Sequence, residues 1–446
     1  MRIRTGSERP KETNVPSPFI RSIVALASTA LTANAAMSAT EPPSDERVAE
    51  VIVAHQDKIA GLIEGGMDPV QAVFESAEGA TQDLAIEEMS GLQLLRLTIN
   101  ALATDPAIAA RVFERLDQLK DTEGSESLAA RSALVMLALT GGRPGVTPQS
   151  ITAEMGAILD SESLGEALRD GGVEPLGFLM QATIPPQALG AYRGRLERLF
   201  GLVGEDTHPQ TAVFLAAAWE LLEPLGVDEE LRQSSRRALV ASMKAGRDAV
   251  LADPIYDDAV VEQLDYTVGA LESPFMRGEL VGNPAPDIEF IWSSGGDLES
   301  LNDLRGKVVI IDFWATWCGP CIVTFPQIRT LVEHYEGFDV RVIGLTSLQG
   351  FHAQPGGGQI NTQGDPEQEF ELMRGFMAGQ GMTWPVVFSE TNVYNPDYGV
   401  RGIPHVTIVA PDGTVRHNGL HPAEPFEGKT QKIDAILREF SLPVPE

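Results

Sequence analysis

The chain has 446 residues, 43 % apolar and 22 % charged, with two cysteines and a net charge of −30. This implies roughly two to four domains and excludes a collagen-like, rod-like or wholly disordered chain. It also argues against binding to nucleic acid or anionic lipid, and two cysteines cannot build a disulfide framework.

The N-terminus reads as an export signal. Arg2, Arg4, Arg9, Lys11 and Arg21 form a basic leader, residues 22–31 (SIVALASTAL) a short apolar stretch, and Ala33-Asn34-Ala35 a cleavage site of the A-x-A kind. The apolar stretch is too short for a permanent span, and no later apolar run reaches about 18 residues. The expectation is a signal peptide over 1–35, a spacer over 36–45, and delivery to a bacterial cell envelope or periplasm. Without a working signal the chain stays cytoplasmic. No cysteine follows the cleavage site, which argues against a lipid anchor.

Residues 46–277 are patterned as helices, an all-α domain forming either a bundle or a divergent solenoid. Leu92, Leu95, Ile99 and Leu102 recur at helical spacing. Asp105-Pro106 is expected to cap and open a helix, as is Thr147-Pro148, while Gly141-Gly142 ends one. Further helices are expected over 187–200, 209–225, 228–251 and 257–271. His55 and His208 are isolated, and the pairs Glu87-Glu88 and Glu229-Glu230 read as solvated helix faces. Nothing in this region carries recognisable chemistry. It is either a partner-binding module or a stabilising appendage.

From residue 281 to the C-terminus, strands alternate with helices. Strands are expected over 288–292, 308–314, 340–345, 386–388 and 406–409, and helices over 320–335, 366–379 and 429–440, an α/β sheet covered by helices. Cys318 and Cys321 sit where an apolar strand turns into a helix, in the run DFWATWCGPC. A helix N-terminus stabilises negative charge, so the Cys318 thiolate forms readily and can act as nucleophile. Cys321, one turn on, can attack a mixed disulfide and release the product. Pro320 suits the first helical turn. Zinc would need a second pair of ligands and haem attachment a His at position 322, where Ile322 stands. No cofactor is expected, and His417 and His421 lack a third metal ligand. Asp312, flanked by Ile311 and Phe313, is a carboxyl among apolar neighbours, able to exchange a proton with Cys321. Pro404, in Arg401-Gly402-Ile403-Pro404, is a candidate cis-proline at a strand start.

These motifs closely resemble thioredoxins. With VGNPAPD (281–287) and LNDLRGKVV (301–309), they resemble the exported TlpA/ResA-like thiol-disulfide oxidoreductases over residues 281–446, a thioredoxin-like fold with a central mixed sheet. The resemblance implies that Cys318 attacks and Cys321 resolves. Trp317, Gly319, Pro320, Ile403 and Pro404 would then form the substrate surface, Asp312 would move the proton, and Pro326 would match the proline of the active-site helix. The implied activity is reduction of disulfides in exported proteins, with a separate electron donor, membrane-embedded or soluble. The alternatives are a peroxiredoxin-like peroxidase, or a non-catalytic adaptor working through the acidic helical domain.

The departures are specific. His405 stands where thioredoxins usually have Thr, and the strand 340–345 offers no Lys to pair with Asp312. Residues 348–365 form a long Gly/Gln-rich segment, expected to be a mobile loop, either a substrate-contacting flap or a surface insertion.

Overall fold

The computed structural model describes residues 42–105, 107–140, 146–296, 298–354 and 357–446. The expected signal peptide and most of its spacer lie outside these residues. Among the described residues no helix is long and apolar enough to cross a membrane. The chain divides into two compact units, the first ending at Gly269 and the second running from Ala270 to Glu446.

The first unit is helical. Its elements are α1 (Asp45–Glu64), α2 (Pro69–Ala77), α3 (Gly91–Ile99), α4 (Ala109–Leu119), α5 (Ser125–Leu139), α6 (Pro148–Asp160), α7 (Leu164–Asp170), α8 (Leu176–Thr183), α9 (Arg193–Leu202), α10 (Pro209–Trp219), α11 (Glu229–Ala252) and α12 (Asp258–Glu272), the last crossing the boundary. Helix α5 is Ala/Leu-rich on all sides and is buried accordingly, packing against α3, α4, α6, α7 and α8. Gly177 allows α8 to lie close to α10: a Cβ there would stand 1.9 Å from the Phe214 carbonyl oxygen.

The helix expected from Asp105 becomes regular only at Ala109, but Asp105 still receives the Ala107 N–H on its side chain (2.9 Å) and the Ala109 N–H on its carbonyl (2.9 Å), the bonds of an N-cap. Its buried carboxylate also accepts from Gly79 N (3.0 Å) and Thr81 Oγ1 (3.1 Å), tying the chain to an earlier turn. One expectation needs correction. The expected helix over 187–200 is a 3-10 turn, Pro186–Tyr192, that becomes α-helical only at Arg193. Thr147 does cap α6, with Pro148 in the first turn. The Gly141-Gly142 stop lies outside the described residues.

The second unit is built on a six-stranded sheet in the order β1-β6-β3-β2-β7-β8, comprising β1 (Phe290–Ser293), β2 (Val308–Phe313), β3 (Val340–Ser347), β6 (Val386–Ser389), β7 (His405–Val409) and β8 (Val415–Leu420). Strand β2 pairs in parallel with β3 and antiparallel with β7, so the sheet is mixed. Every residue of β2 is buried, as expected of a strand covered on both faces. Alternation sorts its side chains: Val308 and Ile310 join the core under helices α13 (Gly319–His334), α14 (Pro366–Gln380) and α15 (Phe426–Glu439). Val309, Ile311 and Phe313 join the core on the other face, with Leu280, Val393 and Tyr398. Strand β8, whose VRHNGL carries little apolar alternation, follows the Pro411-Asp412-Gly413 turn and pairs as an edge strand with β7. The segment 348–365 is not a bare loop either. It contains a small antiparallel ladder of β4 (Phe351–Ala353) and β5 (Gln359–Asn361).

Candidate active site

Strand β2 delivers the chain to the sheet edge, and α13 begins at once. Cys318 is the residue that caps α13, and its Sγ receives the Cys321 backbone N–H at 3.2 Å. Here the unpaired donors of the first helical turn meet the sulfur, the arrangement that stabilises a thiolate. The two cysteines are joined by a disulfide with Cα atoms 5.3 Å apart, the oxidised form of the pair. Both are buried, Cys321 completely, whereas Trp317, Gly319 and Pro320 are exposed around them. The helix continues through Pro326.

The opposite wall comes from the start of β7. The Ile403–Pro404 peptide is cis, and the Ile403 carbonyl oxygen lies 3.7 Å from Cys318 Sγ. Ile403 and Pro404 are half-buried. The register Phe313↔His405 between β2 and β7 sets these two loops side by side. Thus Cys318, Cys321 and the Ile403-Pro404 turn, far apart in sequence, meet in one place, with Trp317 on the rim.

Asp312 is 1 % exposed and shares the β2 face of Val308 and Ile310, the face covered by α13 and α15. Its Oδ1 has no hydrogen-bond partner among the described residues. Burial pushes its carboxyl up to about 8, and the Lys429 ammonium pulls it part of the way back. At neutral pH it is therefore mostly protonated. Lys429 was missed by sequence reasoning, which looked for a cation on the neighbouring strand. It comes from α15, is 7 % exposed, and donates to the Pro422 carbonyl at 2.6 Å. Burial lowers its own pKa, while Glu424 and Asp312 raise it. The signal that could have found it is its position in the amphipathic last helix: of the two lysines there, Lys429 falls four and seven residues before Ile433 and Ile436, on their side.

His405 does not face the sulfurs. It lies on the opposite face from Val406 and Ile408, packs edge-on against Phe313 at 5.5 Å, and its Nε2 lies 3.0 Å from Asn418 Oδ1. Burial lowers its pKa, opposed by the hydrogen bond to Asn418, and so favours the neutral imidazole. His417 lies on β8. His421 Nδ1 accepts the Ala423 N–H, and among the described residues no group of three or more His, Cys, Asp or Glu is placed to hold a metal ion.

A mixed sheet with a helix-capping cysteine pair, facing a cis-proline turn and backed by a buried acid, defines a thioredoxin-like domain equipped for thiol–disulfide exchange. Residues 280–437 match the Redoxin family. The chain is 28 % identical over 156 residues to the thioredoxin-like protein YneN of Bacillus subtilis, covering 34 % of this chain and 78 % of that protein. It is 27 % identical over 155 residues to the thiol-disulfide oxidoreductase ResA of Bacillus thuringiensis, with the same coverage. Among solved structures, the thioredoxin domain of a thiol-disulfide oxidoreductase from Bacteroides vulgatus is 20 % identical, covering 34 % of this chain and 97 % of that one, with a TM-score of 0.27. These likenesses concern the second unit.

Proposed function

We propose that the chain is a protein-disulfide reductase of the bacterial cell envelope, with a helical domain over 46–277 joined to the redox domain over 281–446. The observation that carries this reading is the seating of Cys318 Sγ between the Cys321 N–H and the cis-proline turn. In the reduced enzyme, the Cys318 thiolate attacks a substrate disulfide. A Cys318–substrate disulfide forms, and the departing thiolate takes up a proton. Cys321 then loses its proton and attacks the Cys318 sulfur. The second substrate thiol leaves, and the pair closes into the disulfide seen here. Two electrons and two protons pass to the substrate, and a separate dithiol donor must restore them. Asp312, held neutral by burial and yet ionisable near neutrality, suits the proton transfer at Cys321. The basic leader and its A-x-A site support export.

The direction of electron flow is tested by the equilibrium reduction potential of the Cys318–Cys321 pair, measured against dithiothreitol and glutathione. A value near about −270 mV supports a reductase, whereas one near about −120 mV makes the enzyme an oxidant and overturns the reading. The role of Lys429 has a separate test. Lys429→Met removes the charge that draws the Asp312 pKa down, so the inflection assigned to Asp312 in the rate–pH profile moves to higher pH. An unmoved inflection would show that Lys429 does not act on Asp312. The variant also leaves the Pro422 carbonyl without its donor, costing about 1–3 kcal/mol of stability.

A further inference from the structure

The segment after β3 is tied to the active site through a chain of side-chain hydrogen bonds. Trp317, the residue before the nucleophile, is 40 % exposed, yet its indole N–H is taken by Gln349 Oε1 at 3.0 Å. The Gln349 amide has no freedom to turn over. Its NH2 group donates to the Ser347 carbonyl at 2.9 Å, an acceptor that only the nitrogen can serve, and to Ser347 Oγ at 3.0 Å. The Gln349 backbone N–H is gripped in turn by Glu369 Oε1 at 2.9 Å, while Glu369 Oε2 accepts from the Thr362 hydroxyl at 2.7 Å. Glu369 and Thr362 are each 3 % exposed, so α14 clamps the two strands of the β4–β5 ladder together at its open end, from inside. A second tie runs from Ala353 N to Thr316 Oγ1 at 3.3 Å, one residue before Trp317.

An exposed indole beside a sulfur would otherwise turn freely between solvent and cleft. Gln349, Ser347, Glu369 and Thr362 are instead linked in a hydrogen-bonded series that ends on it and holds it in one orientation. We propose that Gln349 is a positioning residue that locks Trp317 as a wall of the cleft receiving a polypeptide disulfide. This rests on the thiol–disulfide reading above and adds a preference: a disulfide within a protein chain, which must lie along that wall, gains from the lock. A small disulfide such as oxidised glutathione reaches Cys318 with little contact to it.

The test is Gln349→Met, which keeps the length of the side chain and removes its hydrogen bonds. The pre-reduced full chain is mixed with insulin or with oxidised glutathione, each of which accepts two electrons and two protons from the dithiol. The second-order rate constant with insulin should fall about fivefold more than that with glutathione, the value of one hydrogen bond. In a Trp317→Phe background the same substitution should have no further effect. Exchange of the Trp317 indole N–H with solvent, followed by NMR and assigned by its loss in Trp317→Phe, should speed up at least about fivefold. Ser347→Ala, a milder loosening of the amide, should shift the insulin-to-glutathione ratio and the indole exchange in the same directions and serves if the methionine variant does not fold. Equal losses with both substrates, or unchanged indole exchange, would overturn the proposal. If the wild-type chain reduces neither substrate, the thiol–disulfide reading and the preference fall together, while indole exchange still decides whether Gln349 holds Trp317.

Discussion

A Cys321→Ser chain should accumulate disulfide-linked complexes with its substrates and lose turnover, whereas Cys318→Ser should lose both turnover and capture. The asymmetry follows from the geometry. Cys318 caps α13 and receives a backbone N–H on its sulfur, while Cys321 is fully buried one turn along. Only the first sulfur can meet a bulky disulfide, and only the second is placed to resolve the bond that results. Both variants should reduce insulin at the rate of the added reductant alone. On non-reducing gels of cell-envelope extract, Cys321→Ser should show high-mass species that dithiothreitol removes. Equal trapping by the two variants would reverse the assigned roles. Full activity in the absence of both thiols would mean that the domain works as an adaptor.

The second large effect concerns Asp312. Its pKa, about 8 in the folded chain, lies well above the value of about 4 expected when unfolded. Between those values the folded state holds a proton that the unfolded state has lost. The stability tied to this carboxyl is therefore intact below about pH 4, declines as pH rises through the window, and levels off above about pH 8. At about 1.4 kcal/mol per unit, the loss is on the order of 5 kcal/mol at most. Asp312→Asn stays neutral throughout, at the cost of an unpaired buried amide worth about 1–3 kcal/mol. The melting curves should cross: the variant melts below wild type near pH 5 and above it near pH 9. Its rate of disulfide reduction at neutral pH should fall about a hundredfold, the loss of a general acid–base group, and the alkaline limb of the pH profile should vanish. A melting temperature with unchanged pH dependence would place the carboxyl elsewhere in the titration.

Much of the catalytic centre was legible because it is local. The capping of α13 by Cys318 and the apolar run that buries Asp312 depend on residues within a few positions of each other. What escaped was carried by long-range packing. Lys429 reaches the neighbourhood of Asp312 from 117 positions away in the chain, through the docking of α15 on β2. The β4–β5 ladder was hidden because its Gly- and Gln-rich sequence has little strand propensity; the buried carboxylate of Glu369, on α14, ties its two strands at the open end. His405 directly follows the cis-proline, but alternation along β7 sends it to the other face, against Phe313. In the helical unit, the capping role of Asp105 was legible locally, but its second oxygen also binds Gly79 and Thr81, a long-range tie that no local pattern shows.

The pairing of β2 with β7 has a consequence for how this protein can diverge. The nucleophile hangs from the end of one strand and the cis-proline from the beginning of its neighbour, in the fixed register Phe313↔His405. The gap between the two halves of the cleft is thus ruled by main-chain hydrogen bonding, at the roughly 4.8 Å spacing of adjacent strands, not by the side chains that line it. Rim residues can be exchanged freely to suit new clients without altering that gauge. A slip of one residue would spoil it, and would also turn Asp312 away from the cysteines.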